Sequence, residues 1–338
     1  MNSNCNAWCI DIDGTLLVNN QQIEGASEFL SYLESTSIPY VIISNTGLRT
    51  AQMVSDRLFK IFKFRISINK IFTARDYMST ELETKKQNFS KIMCIPHDPE
   101  SEFEELHLNT TLENDETNTC IAIFTDGEIH EYYRTLVIVS NYLKRGATLF
   151  ITSNDSTLVK FDANMKIIVP GPGAFLAALK CMVTNFPYQT FGKESMRACQ
   201  MNKIMRELHN QNFIGNKRDI IMLGDRFDTD MEFGIANDTQ TILVESGCDH
   251  ANNGHYLQNK IDMIASSIKD IPHTKKLQDT NERIKSFLRQ KFRSHLHCLL
   301  SSPLAEYSLK DVIHKAENVL LCPPRRIRSE PFNLNEMK

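Results

Sequence analysis

The protein has 338 residues, of which 41% are hydrophobic and 23% are charged, with a formal net charge of −3. This length predicts about two domains with enough apolar residues for real cores, and the composition excludes a disordered or fibrous chain. No segment approaches the ~18 consecutive apolar residues of a membrane span, and the first seven residues lack the basic-then-apolar order of a signal peptide. The nine cysteines are scattered without a CxxC pair, so we expect no zinc site, no disulfide framework and a reducing, cytoplasmic location.

The near-neutral net charge hides an uneven distribution of charged residues. Residues 275–338 contain 13 Lys and Arg against 7 Asp and Glu, so residues 1–274 carry a balance of −9. A second bias lies at His97–Thr119, which contains eight acidic residues and no Lys or Arg. This acidic segment has no sustained hydrophobic periodicity, and we interpret it as a solvated loop or insertion.

Apolar runs and helical periodicities alternate along the first 270 residues. The predicted strands are Ala7–Ile12, Pro39–Ile43, Lys91–Ile95, Cys120–Thr125, Thr148–Thr152, Asp219–Leu223 and Thr239–Val244. The predicted helices are Gly25–Ser35, Arg49–Phe62, His130–Arg145, Gly173–Val183 and Glu194–His209. Because the strands are apolar without alternation and are separated by helices, they predict an α/β fold with a parallel sheet covered on both faces.

Polar side chains follow several of these predicted strands. Asp11 and Asp13 lie at the end of the first strand, Ser44 and Asn45 follow the second, and Asp225 follows the strand at 219–223. In open parallel sheets the ligand crevice lies outside the carboxyl ends of the strands. Two carboxylates at positions of the same parity repel each other unless a cation or a proton lies between them. The first pair therefore favours either a Mg²⁺ site or an acid–base pair.

Four motifs at these positions resemble those of the haloacid dehalogenase (HAD) superfamily of hydrolases. They are DxDG(T/V) at Asp11–Thr15, a Ser or Thr followed by Asn at Ser44-Asn45, a Gly-Lys-Pro-like turn at Gly192-Lys193, and GDxxxTD at Gly224–Asp230. Their layout is similar to the group of NagD-like proteins, p-nitrophenylphosphatases and phosphoglycolate phosphatases. The resemblance covers about Ala7–Asp270. It implies a Rossmann-like core with a parallel sheet and an inserted α/β cap domain.

The spacing of the motifs predicts where the cap is inserted. Only about 30 residues separate the first two motifs, whereas nearly 150 residues separate Asn45 from Lys193. We therefore predict a core formed by residues 1–74 and 186–272, with an α/β cap at 75–185 between its two parts. Residues 273–338 are predicted to form a basic helical extension with a disordered end.

The resemblance implies a Mg²⁺-dependent phosphomonoester hydrolase that forms an aspartyl-phosphate. In that scheme Asp11 is the nucleophile, whereas Asp13 gives a proton to the leaving oxygen and later takes one from the hydrolytic water. The side chains expected to hold the transferring phosphoryl group are those of Ser44, Asn45, Thr46 and Lys193.

An octahedral Mg²⁺ site follows from the same resemblance. The expected protein ligands are the Asp11 carboxylate, the Asp13 main-chain carbonyl and Asp225. Asp230 is expected to support a metal-bound water or the lysine amine rather than to bind the ion. Thr15 is expected to fix Asp13 and contribute to the substrate site.

Three features depart from the motifs of the family. Glu194 replaces the Pro that usually follows the Lys of the third motif, and we expect it to start a helix, where its charge favours the helix dipole. Thr46 replaces the second Asn of a Ser-Asn-Asn sequence. Thr125–Tyr133 matches a cap substrate loop poorly, and only Asp126 is kept as a candidate substrate contact. The substrate stays open among small phosphomonoesters, phosphosugars, nucleotides and phosphoproteins.

The C-terminal segment Asn281–Leu300 has apolar residues at helical spacing, which predicts an amphipathic helix with a basic face. It either packs on the acidic body or serves as a homodimer arm or a contact for an anionic surface. Without interleaved aromatic residues there is no strong case for nucleic acid.

Two hypotheses of different classes remain for the whole chain. The first is an active phosphatase acting on a small phosphorylated metabolite. The second is a catalytically weak or silent binding protein that uses the acidic segment and the basic extension as partner surfaces. The intact set of Asp11, Asp13, Lys193 and Asp225 favours the first hypothesis, because a chain freed from catalysis can lose any of these residues.

Overall fold

A computed structural model of the protein describes residues 6–96, 103–107, 118–129, 131–162, 165–195, 198–250 and 257–271. The helices are α1 (Ala26–Ser35), α2 (Ala51–Phe62), α3 (Ala74–Lys85), α4 (Tyr132–Lys144), α5 (Pro172–Met182), α6 (Ala198–Asn210) and α7 (Glu232–Ala236). The strands are β1 (Ala7–Ile10), β2 (Leu17–Val18), β3 (Gln21–Gln22), β4 (Tyr40–Ser44), β5 (Ile71–Thr73), β6 (Lys91–Ile95), β7 (Glu104–Glu105), β8 (Thr119–Ile123), β9 (Thr148–Ile151), β10 (Thr157–Asp162), β11 (Met165–Pro170), β12 (Tyr188–Thr190), β13 (Ile220–Gly224), β14 (Gln240–Val244) and β15 (Met263–Ala265).

A six-stranded sheet has the order β15-β14-β13-β1-β4-β5, and each neighbouring pair is parallel. Every residue of β1, β4 and β13 is buried. Such unbroken burial is typical of parallel strands that are covered on both faces. The predicted α/β fold class with a parallel sheet is confirmed.

Each face of this sheet carries its own apolar core. Trp8 and Ile10 of β1 lie in the cluster that includes the buried residues of α1. The Trp8 ring packs edge-to-face on Phe29 of α1, with 5.0 Å between ring centres. Ala7 and Cys9 belong to a second cluster that includes the buried residues of α6. Because side chains alternate along β1, this one strand packs against α1 on one face of the sheet and against α6 on the other.

A second, five-stranded sheet has the order β12-β9-β8-β6-β7 and is also parallel throughout. All of its strands occur in the chain between β5 and β13, both of which belong to the first sheet. An antiparallel hairpin of β10 and β11 follows β9. The boundaries predicted for core and cap, at residues 74, 185 and 272, stay predictions.

Two sequence predictions fall mainly outside the described residues. One is the basic extension at 273–338, and the other is the acidic segment at 97–119, of which only residues 103–107 and 118–119 are described. Among the helices within the described ranges, none has both the length and the apolar composition needed to cross a membrane.

The order of the central strands positions the candidate site. β13, β1 and β4 are direct neighbours and run parallel, so their carboxyl ends meet at one edge of the sheet. The residues at these ends are Asp225, Asp11 and Ser44. The backbone N–H of Asp11 donates to the carbonyl of Leu223 at 2.9 Å and so extends the pairing of the two strands to the site.

Replacing a residue of the α1 core tests the packing of the first sheet. Leu30 is fully buried in this core, so we expect Leu30→Ala to lower the free energy of unfolding by about 2–5 kcal/mol. Urea titration followed by the fluorescence of Trp8, the single tryptophan of the chain, measures the change. In the control variant Ile214→Ala the side chain is 92% exposed, and the change should stay within about 0.5 kcal/mol. Equal losses in both variants would contradict this packing.

Candidate functional site

Three buried carboxylates and one buried lysine lie together at the carboxyl ends of β1 and β13. Oxygen atoms of Asp11, Asp225 and Asp230 lie within 4.8 Å of one another. Lys193 donates from Nζ to a carboxylate oxygen of Asp11 and, at 2.5 Å, to Asp230. All four residues are at most 6% exposed. One ammonium group therefore faces three carboxylates in a region that water does not screen.

The protonation of these groups reflects both burial and mutual repulsion. Burial raises the pKa of Asp11 to about 7, although the nearby Lys193 charge opposes this shift. Burial and the Asp11 carboxylate raise the pKa of Asp225 well above its usual range. For Lys193, burial acts to lower the pKa, but the carboxylates of Asp11 and Asp230 outweigh it and raise the pKa. The site thus favours the charged form of Lys193, and a further cation would stabilise the ionised carboxylates.

The carboxylate cluster fits a divalent cation. Oδ2 of Asp11 is buried and has no hydrogen-bond partner among the described residues, so it is an oxygen ligand in need of a partner. Carboxylate oxygens are the ligands that Mg²⁺ prefers. Asp230 is already engaged, because its Oδ2 accepts the backbone N–H groups of Asp225 and Arg226 at 3.1 Å each. Asp11 and Asp225 would therefore hold the ion, with Asp230 in support.

Two glycines allow the backbone to enclose Asp225. A Cβ atom on Gly14 would lie 2.2 Å from Oδ2 of Asp225, and one on Gly247 would lie 2.0 Å from the same atom. Gly14 also has a φ of +99°, a left-handed conformation that favours glycine. The backbone N–H of Cys248 donates to that Oδ2 at 2.6 Å. The position of Asp225 thus depends on a close approach of two backbone segments.

Asp13 lines the same cavity but does not join the buried cluster. Its side chain is 55% exposed, and its carboxylate forms two hydrogen bonds with Arg57 of α2, at 2.7 and 3.2 Å. Arg57 also donates to Asn20 at 2.8 Å. The two carboxylates thus differ in environment, with Asp11 buried in the cluster and Asp13 exposed beside Arg57, although the Asp13 charge still helps to raise the pKa of Asp11. β1 ends at Ile10, and the chain turns at Gly14.

The residues after β4 connect the first sheet to the Lys193 turn and to the loop after β9. Asn45 accepts the backbone N–H of Lys193 through Oδ1 at 2.8 Å, and its Nδ2 donates to both carboxylate oxygens of Asp155 at 3.1 Å. Ser44 lines the cavity, and its Oγ accepts the backbone N–H of Thr46 at 3.2 Å. Thr15 is buried, and within the described part of the chain its Oγ1 has no hydrogen-bond partner.

Asp126, which follows β8, fastens the loop after β4. Its carboxylate accepts from Thr46 Oγ1 at 3.1 Å and from the backbone N–H groups of Gly47 and Leu48. It also pairs with Arg49 at 3.0 Å. The carboxylate of Asp126, a candidate substrate contact, is thus already hydrogen-bonded and ion-paired within the protein.

A cavity of about 380 Å³ lies between these elements and is lined by residues at the carboxyl ends of β1, β4 and β13, by residues after β8 and β9, and by residues of β10. Its rim cations are paired with carboxylates: Arg49 with Asp126, Arg57 with Asp13, Lys160 with Glu128 and Arg226 with Asp228. Sequence reasoning did not single out Arg57 or Arg226. Neither residue is typical of a motif at its position, and only their folded contacts reveal them.

Two family models identify the class of hydrolase to which this chain belongs. A family model described as "haloacid dehalogenase-like hydrolase" matches residues 8–109, and a second model, described as HAD-hydrolase-like, matches residues 195–271. These ranges contain Asp11, Asp13, Ser44, Asn45 and Asp225. The chain belongs to the haloacid dehalogenase-like hydrolases.

Relatives and solved structures agree with this assignment. The chain is 26% identical over 281 residues to an acid sugar phosphatase of Staphylococcus aureus, covering 82% of this chain and 96% of the relative. The p-nitrophenyl phosphatase of Archaeoglobus fulgidus has a similar fold, with a TM-score of 0.58 and 21% identity over 79% of this chain and 98% of that one. NagD from E. coli K-12 is similar as well, with a TM-score of 0.55 and 20% identity over 80% of this chain and all of NagD.

Crowding Asp225 tests whether its position governs cation binding. In Gly247→Ala the new Cβ would clash with the Asp225 carboxylate, so we expect divalent-cation affinity to fall by at least about tenfold. The measurement is the rise in thermal denaturation midpoint as Mg²⁺ or Mn²⁺ is added. Gly146→Ala is the control, because a Cβ there meets nothing within 4 Å. Its φ of +97° strains an alanine, so the midpoint without cation should fall, but the rise on addition of cation should stay normal. An unchanged response in Gly247→Ala would show that Asp225 does not bind the ion.

Proposed function

We propose that this protein is a Mg²⁺-dependent phosphomonoester hydrolase that acts through an aspartyl-phosphate on a small phosphorylated metabolite. The observation that carries the proposal is the buried Asp11 carboxylate, which has one oxygen on Lys193 and one oxygen without a partner. The names of the relatives, acid sugar phosphatase and p-nitrophenyl phosphatase, support the reaction class.

Attack on a phosphate monoester requires compensation of negative charge, because nucleophile and substrate are both anionic. When bound, Mg²⁺ supplies part of this charge at Asp11 and Asp225. Lys193 supplies the remainder from the protein, because its amine lies against the attacking carboxylate. A carboxylate oxygen of Asp11 bonds to phosphorus while the bond from phosphorus to the ester oxygen breaks. Ser44 faces the same cavity and offers a hydroxyl to the phosphoryl oxygens.

In this proposal Asp13 transfers the proton in both steps, first as general acid and then as general base. It lines the cavity from the rim, outside the buried cluster, where an ester oxygen would leave. In the first step its carboxyl group protonates the departing alkoxide. In the second step it takes a proton from the water that attacks phosphorus, and phosphate leaves with the Asp11 carboxylate restored. Arg57 holds the Asp13 side chain between these tasks.

The size of the cavity supports a small substrate. A volume of about 380 Å³ lies at the lower end of the range for small-molecule sites. Residues after β8 and β9 and residues of β10 line part of the same cavity, so we expect them to contact the leaving group. A cavity of this size accommodates a phosphorylated metabolite more readily than a folded phosphoprotein.

Removal of the nucleophile tests the reaction. With p-nitrophenyl phosphate and Mg²⁺, we expect Asp11→Asn to lower kcat by about three orders of magnitude or more, because the amide cannot form the phosphoenzyme. Asp238→Asn serves as the control for an exposed Asp outside the site, with near-normal turnover. A wild-type protein that is folded but hydrolyses no phosphomonoester would support the alternative of a silent binding protein.

A comparison of leaving groups tests the role of Asp13. Asp13→Asn cannot donate a proton, so turnover of an alkyl phosphate such as glycerol phosphate should fall by about 10²–10⁴-fold. Turnover of p-nitrophenyl phosphate should fall less than about tenfold in the first step, because nitrophenolate leaves without protonation. Rapid-quench measurement of released p-nitrophenol isolates this step. Equal losses on both substrates would contradict the assignment of Asp13 as general acid.

A further inference from the structure

Glu194 occupies the place where the third motif of the family has a Pro, and it is only partly exposed. It lies in the short 3₁₀ turn Lys193–Ser195, before α6 begins at Ala198. Its Oε1 accepts the backbone N–H of Asn154 at 2.8 Å. Its Oε2 is buried without a hydrogen-bond partner among the described residues. Glu194 thus lies in the first turn of a short 3₁₀ helix, and its carboxyl group also joins this Lys193 turn to the loop after β9.

The backbone leaves room for this carboxyl group. A Cβ atom on Gly192 would lie 2.2 Å from Oε2 of Glu194. A larger residue at position 192 would therefore displace the Glu194 side chain. The contact joins two short segments that both adjoin the catalytic centre, because Lys193 follows Gly192 and Asp155 follows Asn154. We call this contact between the Lys193 turn and the Asn154–Asp155 loop the junction.

The charges around Glu194 are unbalanced. The charged group that acts on it most strongly is Asp155, which has the same sign. No described Lys or Arg forms an ion pair with Glu194, whereas the charges of Arg226 and Lys193 both act on Asp155 and favour its ionised form, and that of Asp228 opposes them. The other polar groups at Glu194 are the backbone N–H groups of Asn154 and of Glu194 itself, and the side chain of Thr190 at the end of β12. Burial first, and then repulsion by Asp155, raises the pKa of Glu194 to about 7.

We propose that Glu194 is a positioning residue whose neutral form holds the Lys193 turn against the Asn154–Asp155 loop, and whose ionisation loosens this junction. Ionised Glu194 would place a second buried anion beside Asp155. Asp155 in turn holds Asn45, which accepts the backbone N–H of Lys193. Loosening the junction would therefore shift the catalytic lysine, and activity would decline as the pH rises through about 7. The catalytic consequence rests on the proposed function, but the junction itself does not.

The sign of the stability effect follows from the raised pKa. A carboxyl group that binds its proton more tightly in the folded protein contributes stability that is fully present below its unfolded pKa. That contribution is lost as the pH rises through the folded value, about 7. Glu194→Gln keeps the neutral form at every pH, so it removes this loss.

The test compares pH profiles of the wild type and Glu194→Gln. With Mg²⁺ and p-nitrophenyl phosphate, kcat of the variant should match the wild type within about twofold at pH 6 and exceed it about tenfold at pH 8. Without substrate, the thermal denaturation midpoint of the variant should rise relative to that of the wild type between pH 6 and pH 8. Glu24→Gln, which removes an exposed ion pair with Lys269, is the control and should follow the wild type.

A second variant keeps the proposal falsifiable if the amide does not pack. Glu194→Pro restores the residue of the family motif, and the backbone N–H that it removes contacts the carboxyl group of Glu194 itself. It should also lack the wild-type decline above pH 7. Denaturation profiles that superimpose for wild type and both variants would overturn the proposal, whether or not the protein hydrolyses phosphate esters. If the difference in denaturation midpoint changes with pH as predicted but the protein shows no turnover, only the proposed function would be overturned.

Discussion

The accumulation of buried negative charge around a single lysine is the constraint on which the site depends. Asp11, Asp225 and Asp230 face one another at short range, and Lys193 contacts only two of them. Isolated buried charges are costly, so such a cluster persists only when other groups compensate it. Backbone donors do part of this work, at Asp230 and at Asp225. The remaining negative charge is what a divalent cation would offset, and without that offset an anionic phosphoryl group would be repelled.

The backbone around these charges is shaped to permit close approach. Gly14, Gly224 and Gly247 each leave space that an Asp carboxylate fills. The second sheet then reaches the same place through short polar contacts, with Asp155 on Asn45 and Asp126 on the loop after β4. Because Asn45 also holds the backbone of Lys193, the second sheet contributes to the catalytic geometry as well as to the cavity wall.

Much of the first sheet and of the buried cluster could be predicted from the sequence. The strands β1, β4 and β13 are unbroken apolar runs, and parallel strands bring the residues after them to one edge. The pairing of Asp13 with Arg57 could not be predicted, because it depends on where the chain leaves the strand. Helix α3 was missed because only Ala74, Met78 and Leu82 are buried in an otherwise polar segment. The hairpin of β10 and β11 was missed, although the turn-forming residues 152–156 precede it. The residue-by-residue roles and the domain boundaries stay predictions.

Glu194 shows how a residue can depart from a motif without disrupting the site. A Pro at this position would fix the turn through its ring, whereas the Glu side chain fixes it through a hydrogen bond to Asn154. That substitution buries a carboxyl group beside Asp155, and the nearby guanidinium of Arg226 is already committed to Asp228 and to the carbonyl of Thr157. The adjacent Lys193 is paired with Asp11 and Asp230, so a proton is the simplest compensation for the buried carboxylate. A turn held in this way is sensitive to pH near neutrality, whereas a turn held by a proline ring is not.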